Sequence, residues 1–316
     1  MRKTDYHCHF EGSIPWRVFA KLFIKNRDYL LSSTSVDHFK FEFHIEAVDE
    51  IKKLLFSRAS EITVTDYLYE KFVLRSPAKN LWDFIQGLPT SFIRWSCLDI
   101  SDLRYLLDET IKSYNGFERV ELFFCPFADE NARYSWQDVC TMFSDTWSNL
   151  VPAKKDVFTF VLSLRKGQKD MEMDSIQEVI STSNRLFKKG IARFDISGDE
   201  DAFPYSVFEN QLDYLIKKGK QELSLHIGET TSRDLEFVVN RFPEIKQFNH
   251  GVQIYKDEKL LEIAKERGIF FTICPESNWF TGALKLFVIS EVLEVFGKKG
   301  INFGWGSDDR AIIGTV

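Results

Sequence analysis

The second half of the chain alternates short β-branched and aromatic runs with amphipathic segments, and this rhythm constrains the fold more than any other feature. Strands that alternate with helices of about 10 to 15 residues are typical of βαβ units in a parallel sheet. A helical pattern with Asp174 as its N-cap is predicted to end at Gly190, and a second helix is capped by Asp257 and ends at Gly268. The other predicted helices are 205–218, 232–242 and 284–299. The predicted strands are 191–196, 221–227, 245–248, 269–273 and 301–305.

Three further strands are predicted nearer the start of the chain, at 4–10, 119–124 and 157–164. Eight βα units suit a closed barrel better than an open sheet, so the sequence predicts an α/β fold of the (β/α)8, or TIM, type. We expect one domain over residues 1–316. The long interval 13–117, rich in aromatic residues, is predicted to be a helical insertion that forms a lid over one end of the barrel.

The composition argues for a globular protein with a small-molecule substrate. The chain has 316 residues, of which 44% are hydrophobic and 28% charged, and no run approaches the roughly 18 apolar residues of a membrane span. The first residues have no apolar central run of a secretory signal, so a cytoplasmic location is predicted. A formal charge of −6 gives no reason to expect a nucleic-acid partner or a membrane surface.

The five cysteines are scattered and form no CxxC pair, which argues against a disulfide framework and against a thiolate metal site. Reduced thiols are therefore expected.

Polar residues cluster where the predicted strands end. In a barrel of this type the active site lies at the C-terminal ends of the strands. His7 and His9 are two residues apart on the first strand, so both rings project to one face while Cys8 points away. The other strand ends carry the groups FDISGDE (194–200), HIGE (226–229), NHG (249–251), CPESN (274–278) and SDD (307–309).

An isolated HxH pair is more often two surface or core histidines than a metal site. Four of the six histidines, however, fall at strand ends together with an acidic pair, which favours a metal. Three imidazoles and a carboxylate, with one position left for water, suit a catalytic zinc ion. His38 and His44 lie in the insertion, and no function is assigned to them.

The ordered set HCHFEGS, FDISGDE, HIGE, NHG, CPESN and SDD resembles the adenosine deaminase family of metal-dependent amidohydrolases, and it extends from residue 5 to residue 309. The resemblance implies that one zinc ion per chain is held by four ligands, namely His7, His9, His226 and Asp308. It implies hydrolytic attack of water on C6 of a purine, with His250 orienting and deprotonating that water. Glu229 would donate a proton to N1, which requires a carboxyl group that is protonated in a water-poor pocket. Asp309 would contact N7, and the backbone N–H of Gly198 would contact N3.

Several of these positions also have a purely structural reading. Gly198 could be only a tight turn, and Ser277 and Asn278 could be a turn or a helix cap. Asp199 and Glu200 could be solvated or could orient metal ligands.

The chain departs from the family pattern at a few positions. Glu11 stands where the adenosine-specific branch usually has Asp against the sugar, and Glu here resembles the adenine deaminase branch. Asn249 replaces a usual Gly, and Arg310 replaces a usual Pro. Arg310 is expected to form a salt bridge with an acidic neighbour rather than to meet a substrate phosphate. Only seven residues follow Asp309, so the C-terminus is expected to be short: either the chain is incomplete, or another segment or a partner subunit covers strand eight.

The resemblance implies an aminopurine deaminase, and both its substrate and two other functions stay open at this point. Adenosine or deoxyadenosine is the first candidate substrate, adenine the second and an adenine nucleotide the third. A non-catalytic barrel that acts as an assembly or regulatory protein is a different class of function. An amidohydrolase that acts on another C–N bond is disfavoured, because the purine-reading positions Gly198 and Asp309 are also present.

Overall fold

Eight parallel strands form the centre of the computed structural model, which describes residues 3–33, 42–131, 133–186, 190–219 and 222–315. The strands are β1 (Thr4–His9), β2 (Arg119–Phe124), β3 (Phe158–Arg165), β4 (Ile191–Ser197), β5 (Glu222–Ile227), β6 (Gln247–His250), β7 (Phe270–Ile273) and β8 (Asn302–Trp305). They follow one another in chain order, and each pairs in parallel with the next. Cys8 and Asp308 form a bridge that joins the two ends of the sheet, so the barrel is nearly closed. The predicted (β/α)8 fold is confirmed.

Eight helices lie between β1 and β2 in the described residues, where the sequence predicted a helical insertion. They are α1 (Phe10–Ser13), α2 (Trp16–Lys25), α3 (Arg27–Ser32), α4 (Glu42–Phe56), α5 (Glu61–Phe72), α6 (Leu81–Gln86), α7 (Thr90–Ser96) and α8 (Ile100–Ser113). Part of this segment packs into the core, since Phe19, Phe23, Phe92 and Trp95 are buried. The segment is therefore anchored to the rest of the protein by the packing of these aromatic side chains.

The remaining helices follow the other strands. They are α9 (Pro126–Asp129), α10 (Trp136–Asn149), α11 (Pro152–Lys155), α12 (Met173–Leu186), α13 (Glu209–Gly219), α14 (Leu235–Arg241), α15 (Glu258–Glu266), α16 (Pro275–Phe280), α17 (Leu286–Lys299) and α18 (Arg310–Ile313). That the chain is one domain over 1–316 stays a prediction.

The predicted helix starts are right in one case and wrong in another. Asp257 caps α15, because its side chain accepts a hydrogen bond from the N–H of Leu260. Asp174 is not the N-cap of α12. The N–H of Ile176 donates to the carbonyl of Glu172, so the helix begins at Met173. Asp174 therefore lies in the first turn, where the positive end of the helix dipole stabilises a carboxylate.

Other predicted boundaries differ from the structure by a few residues; for example, the helix predicted at 205–218 is α-helical only from Glu209, and the helix predicted at 232–242 is Leu235–Arg241. Strand β6 begins two residues later than predicted, because the N–H of Ile245 closes a turn onto the carbonyl of Phe242. The predicted helix 284–299 is α17, and a separate helix, α16, precedes it. The predicted residues Phe187 and Gln221 lie outside the described part of the chain. All five cysteines are free and buried. In the described residues, every helix is too short or too polar to cross a membrane.

Candidate active site

Three imidazole rings and one carboxylate meet at the C-terminal end of the barrel. His7 and His9 come from β1, His226 from β5, and Asp308 from the turn after β8. The Nε2 atom of His9 lies 3.1 Å from Nε2 of His7 and 3.0 Å from Nε2 of His226. Asp308 Oδ1 lies 3.7 Å from His7 Nε2 and 3.4 Å from His9 Nε2. The alternating side-chain directions of β1 place both histidines here, while Cys8 points to the carbonyl of Glu121.

This donor set fits a tetrahedral metal ion. Zinc–nitrogen distances of about 2.0–2.1 Å place neighbouring ligand atoms about 3.4 Å apart in a tetrahedron. The four separations given above, from 3.0 to 3.7 Å, bracket that value, and the ligand atoms of His7, His9 and His226 all lie within 4.8 Å of one another. Burial lowers the pKa of His7, and it lowers the pKa of His9 to about 4, so both rings are neutral and can offer a lone pair. Without a cation, the lone pairs of three ring nitrogens would face one another, with few N–H groups to form hydrogen bonds between them.

The far sides of two rings are held by buried polar groups. Thr272 Oγ1 lies 3.1 Å from Nδ1 of His7, and Asp195 Oδ2 lies 2.9 Å from Nδ1 of His226. Asp195 accepts further hydrogen bonds from Ser163, Ser224 and Asn249 on the neighbouring strands. Such partners fix the orientation of a metal-binding imidazole and raise its basicity.

His250 stands beside this cluster at the end of β6. Its Nε2 lies 3.6 Å from Glu229 Oε2 and 3.8 Å from Asp308 Oδ2. The side-chain amide of Asn278 lies 2.9 Å from its Nδ1, and Ser277 donates a hydrogen bond of 2.6 Å to Asp308. Burial lowers the pKa of His250 to about 3.

The backbone is strained at two of these residues. His250 has φ 66° and Asp308 has φ 59°, in the left-handed region that residues other than glycine rarely adopt. Such strain costs on the order of 1–3 kcal/mol per residue and is common at functional sites.

Glu229 is a buried carboxyl group at the edge of the same cluster. Thr281 Oγ1 donates to its Oε1 at 3.0 Å. Burial raises the pKa of Glu229 well above its usual value, and the nearby charge of Asp308 raises it further. A carboxyl group that is protonated near neutral pH can act as a proton donor.

The loop that carries Glu229 is fixed from β4. Glu200 is buried, and its carboxylate accepts hydrogen bonds from the backbone N–H groups of Gly228, Thr230 and Thr231. The predicted alternative that Glu200 is solvated is therefore wrong. Asp199, in contrast, accepts backbone hydrogen bonds of an exposed turn.

Two glycines make room at the cavity wall. Gly198 has φ +111°, and a Cβ there would lie 3.3 Å from the backbone nitrogen of Lys166. At Gly12, a Cβ would fall 1.7 Å from Oδ1 of Asp309. Asp309 Oδ1 is buried and has no hydrogen-bond partner in the described residues, and burial raises the pKa of this carboxyl group. The orphaned oxygen is available to a ligand.

These side chains surround one cavity of about 370 Å³. Each predicted site residue except His7 borders it; these are His9, Glu11, Gly198, His226, Glu229, His250, Asp308 and Asp309. His7 is fully buried behind His9. Apolar side chains from α6 also line the cavity, among them Leu81 and Phe84.

Glu11 lies on the wall of this cavity nearest to α9. Its Oε1 accepts a hydrogen bond of 2.8 Å from the N–H of Cys125. Burial raises its pKa, and the fully buried Asp129 is close enough for the two carboxyl groups to affect each other.

Sequence reasoning gave no role to several of these residues. Ser277 and Asn278 were predicted as a turn or cap, but their side chains contact Asp308 and His250. The sequence predicts that Asp195 lies at a strand end, but its contact with His226 depends on the register between strands and could not be predicted. The predicted salt bridge of Arg310 is not seen among the described residues, where its guanidinium has no acidic partner within 4.0 Å, although its charge acts on the buried Asp5. The guanidinium lies 4.3 Å from the ring centre of Tyr114, outside the cavity. His38 lies outside the described residues, and His44 lies in α4.

A family model described as adenosine deaminase matches residues 64–316. An adenosine deaminase from Vibrio atlanticus (strain LGP32) is 29% identical over 45% of this chain and 42% of its own length. An aminodeoxyfutalosine deaminase from Streptomyces avermitilis is also 29% identical, over 45% of this chain and 40% of its own length. These matches thus span about two fifths of the relatives. A longer match, to an adenosine deaminase from Clostridium perfringens (strain SM101), is 24% identical over 98% of this chain and 83% of that protein.

Solved structures share the fold at low sequence identity. Adenine deaminase from Arthrobacter aurescens superposes with a TM-score of 0.70 at 17% identity, covering 99% of this chain and 83% of that one. ADAL from Arabidopsis in complex with IMP gives a TM-score of 0.73 at 15% identity, covering 99% and 82%. A Burkholderia ambifaria amidohydrolase with bound Zn gives 0.68 at 16% identity, covering 100% and 77%.

Proposed function

The chain belongs to the adenosine deaminase family, and from this premise we propose that it catalyses the zinc-dependent hydrolytic deamination of an aminopurine. Adenosine or deoxyadenosine is the first candidate substrate, which would give inosine or deoxyinosine and ammonia. Adenine and an adenine nucleotide are the alternatives. The observation that carries the proposal is the convergence of three imidazole nitrogens at 3.0 to 3.1 Å beside a buried, protonatable Glu229.

We assign His7, His9, His226 and Asp308 as the ligands of one zinc ion per chain. A bound zinc ion lowers the pKa of a water ligand to about 7, which supplies a nucleophile at neutral pH. Support for zinc comes from the donor set, and from the bound Zn of the Burkholderia ambifaria amidohydrolase.

His250 is assigned to orient the attacking water and to take its proton. Asn278 holds the ring at Nδ1, so Nε2 faces the cavity beside Glu229 and Asp308. The low pKa of this buried imidazole keeps it neutral before the reaction.

Glu229 is assigned to protonate N1 of the purine as C6 becomes tetrahedral. The two hydrogen-bond donors on its Oε1, Thr281 and Asn278, leave Oε2 to face the substrate. His250 would then deliver the water-derived proton to the amino group, which leaves C6 as ammonia, and the hydroxyl proton on C6 would return to Glu229 as the carbonyl forms. A positioned proton donor of this kind contributes about 10²- to 10⁴-fold to the rate.

The rest of the purine is assigned to the wall opposite the metal site. Asp309, whose Oδ1 has no partner in the described residues, would contact N7 as a protonated carboxyl group. The N–H of Gly198, which borders the cavity, would contact N3. Glu11 would meet the N9 side of the ring, where a sugar would be attached.

The direct test is zinc analysis followed by incubation with adenosine, adenine and AMP, with ammonia release and purine absorbance as readouts. We expect one zinc per chain and turnover of at least one substrate. Zinc-loaded protein that is inert towards all three would reject the proposal and favour a non-catalytic, regulatory barrel.

The Glu229→Gln variant tests the mechanism. We expect it to keep its zinc and to lose about 10²- to 10⁴-fold in kcat. Undiminished turnover with zinc retained would show that Glu229 is not the proton donor.

A cytoplasmic location and a partner subunit over strand eight are also proposals. Trp305 on β8 is 47% exposed, which is consistent with a covering segment.

A further inference from the structure

Two arginines line a part of the cavity wall that is assigned neither to the zinc ion nor to the purine ring. Arg94 comes from α7, in the segment between β1 and β2, and Arg165 is the last residue of β3. Both border the cavity together with Glu11 and Gln168. Burial lowers the pKa of Arg94, and the neighbouring Arg165 lowers it further, so two cations are held close together in a partly buried place.

Arg94 has no acid to balance it by contact. In the described part of the chain, no carboxylate lies within 4.0 Å of its guanidinium, and its buried Nε has no hydrogen-bond acceptor. Asp170 pairs with Arg165 instead, at 3.4 Å from Nε. A half-buried guanidinium without an acceptor is costly, and an anionic ligand would remove that cost.

Two other acids lie near Arg94, and neither forms an ion pair with it in the described residues: Glu11 borders the cavity, and Asp129 is buried outside it. Asp129 is fully buried, and both of its carboxyl oxygens lack partners in the described residues. Burial raises the pKa of Asp129 well above the usual value and the proximity of Glu11 raises it further, while the charge of Arg94 acts in the opposite direction. One carboxyl oxygen of Glu11 accepts a hydrogen bond from the N–H of Cys125.

The arginines lie where a substituent of the purine would reach. In the proposed pose, N3 meets Gly198, which follows β4, and N9 is separated from N3 by a single ring carbon. Lys166 lies beside Gly198, with its backbone nitrogen 3.3 Å from the position of a Cβ at that glycine, and Arg165 directly precedes it. A group on N9 therefore extends along the end of β3 towards Arg165 and Arg94. The cavity of about 370 Å³ lies in the range of sites that enclose complete small ligands.

We propose that Arg94, supported by Arg165, forms an anion subsite, and that the substrate is an aminopurine with a negatively charged group on its N9 substituent. This inference rests on the proposed function and narrows its substrate class. A phosphate monoester and a carboxylate share the required chemistry, because each presents paired oxygens to the fork of a guanidinium.

Binding of the unreactive products tests the subsite without requiring turnover. The ligands are inosine, inosine 5′-monophosphate and inosine with a 5′-carboxylate, measured by calorimetry on the zinc-loaded protein. We expect at least one anionic ligand to bind about 10- to 100-fold more tightly than inosine, the range for hydrogen bonds to a charged group. The ligand with the larger gain identifies the phosphate or the carboxylate as the natural group.

The variant Arg94→Gln should abolish this gain and leave the affinity for inosine within about threefold. Arg94→Lys, which keeps the charge but loses the fork, should keep part of the gain and guards against a folding defect in the first variant. Arg104→Gln is the matched control, because this arginine of α8 is also partly buried but lies outside the cavity. It should keep the full gain.

The possible failures are distinguishable. Inosine that binds as tightly as both anionic ligands would reject the subsite and leave the deaminase proposal intact, as would a gain that Arg94→Gln does not change. Failure of all three ligands to bind would reject the purine premise and the subsite with it.

Discussion

Gly12 has no side chain, and Asp309 occupies the space that one would need. A Cβ at residue 12 would lie within 2.6 Å of three Asp309 side-chain atoms, so Asp309 must move if Gly12 becomes alanine. A displacement of about 1 Å at a substrate contact can cost about 100-fold in rate. We therefore expect Gly12→Ala to lower kcat/KM by about 10- to 100-fold.

Gly297→Ala is the control for that substitution. Gly297 lies in α17 with nothing within 4 Å of its Cβ position, so alanine should leave kcat/KM unchanged and raise stability by about 0.5–1 kcal/mol. Full activity in Gly12→Ala would mean that the position of Asp309 does not matter for catalysis.

Lys166 is a buried ammonium group with no hydrogen-bond acceptor among the described residues. Burial lowers its pKa from 10.5 to about 8, and its Nζ lies 4.3 Å from the ring centre of Tyr205. Below pH 8 the lysine is charged in both the folded and the unfolded chain, and the folded state bears the desolvation cost. Between pH 8 and 10.5 the folded protein loses this proton first, so that cost disappears as the pH rises.

We expect Lys166→Met to stabilise the protein near pH 7, with little advantage left at pH 10. The shift corresponds to on the order of 3 kcal/mol, less about 1 kcal/mol for the lost contact with Tyr205. Denaturant unfolding at both pH values measures the difference. The exposed Lys259→Met should show no such pH dependence, and an equal effect at both pH values in Lys166→Met would contradict the argument.

At the scale of elements, four adjacent strands cooperate to orient His226, one of the proposed zinc ligands. Asp195 on β4 faces His226, and it is held by Ser163 on β3, Ser224 on β5 and Asn249 on β6. Replacing such a partner typically lowers metal affinity about 10- to 100-fold. Asp195→Asn should therefore weaken zinc binding by this factor in competition with a chelator of known affinity. Asp213→Asn, on the surface helix α13, should not; an unchanged affinity in Asp195→Asn would show that the network does not support the metal site.

The same network shows which parts of the site could be predicted. That His7, His9, His226, His250 and Asp308 gather at one end follows from strand ends in a parallel barrel, which the sequence pattern indicates. The contact of Asp195 with His226 depends on the pairing of Asp195 with Ser224, and register is set by packing of the whole sheet. For Ser277 and Asn278 the sequence left a turn or helix cap open beside a functional role, because a helix as short as α16 leaves no periodic pattern.

At the scale of the whole molecule, the alternation of strands and helices was sufficient to predict the barrel but not the residues of the cavity wall. The strands follow one another in chain order, as the predicted barrel requires. The cavity wall also depends on where the segment between β1 and β2 folds back, and tertiary packing decides this. Arg94, Leu81 and Phe84 reach the cavity only through that packing, and no local pattern marks them.

The proposed zinc ion would also contribute to closing the barrel. Its assigned ligands lie on β1 and β5 and after β8, and outside the site β1 and β8 meet through few contacts, such as the bonds of Ser307 to Asp5. A ligand that binds only the folded state stabilises it by about 2.7 kcal/mol at 100 times its Kd. Chelation should therefore lower Tm by several degrees, and added zinc should restore it. His9→Ala, which removes a ligand, should have a Tm that responds little to chelator. An equal response in this variant, or none in the native protein, would mean that no metal at this site joins the strands.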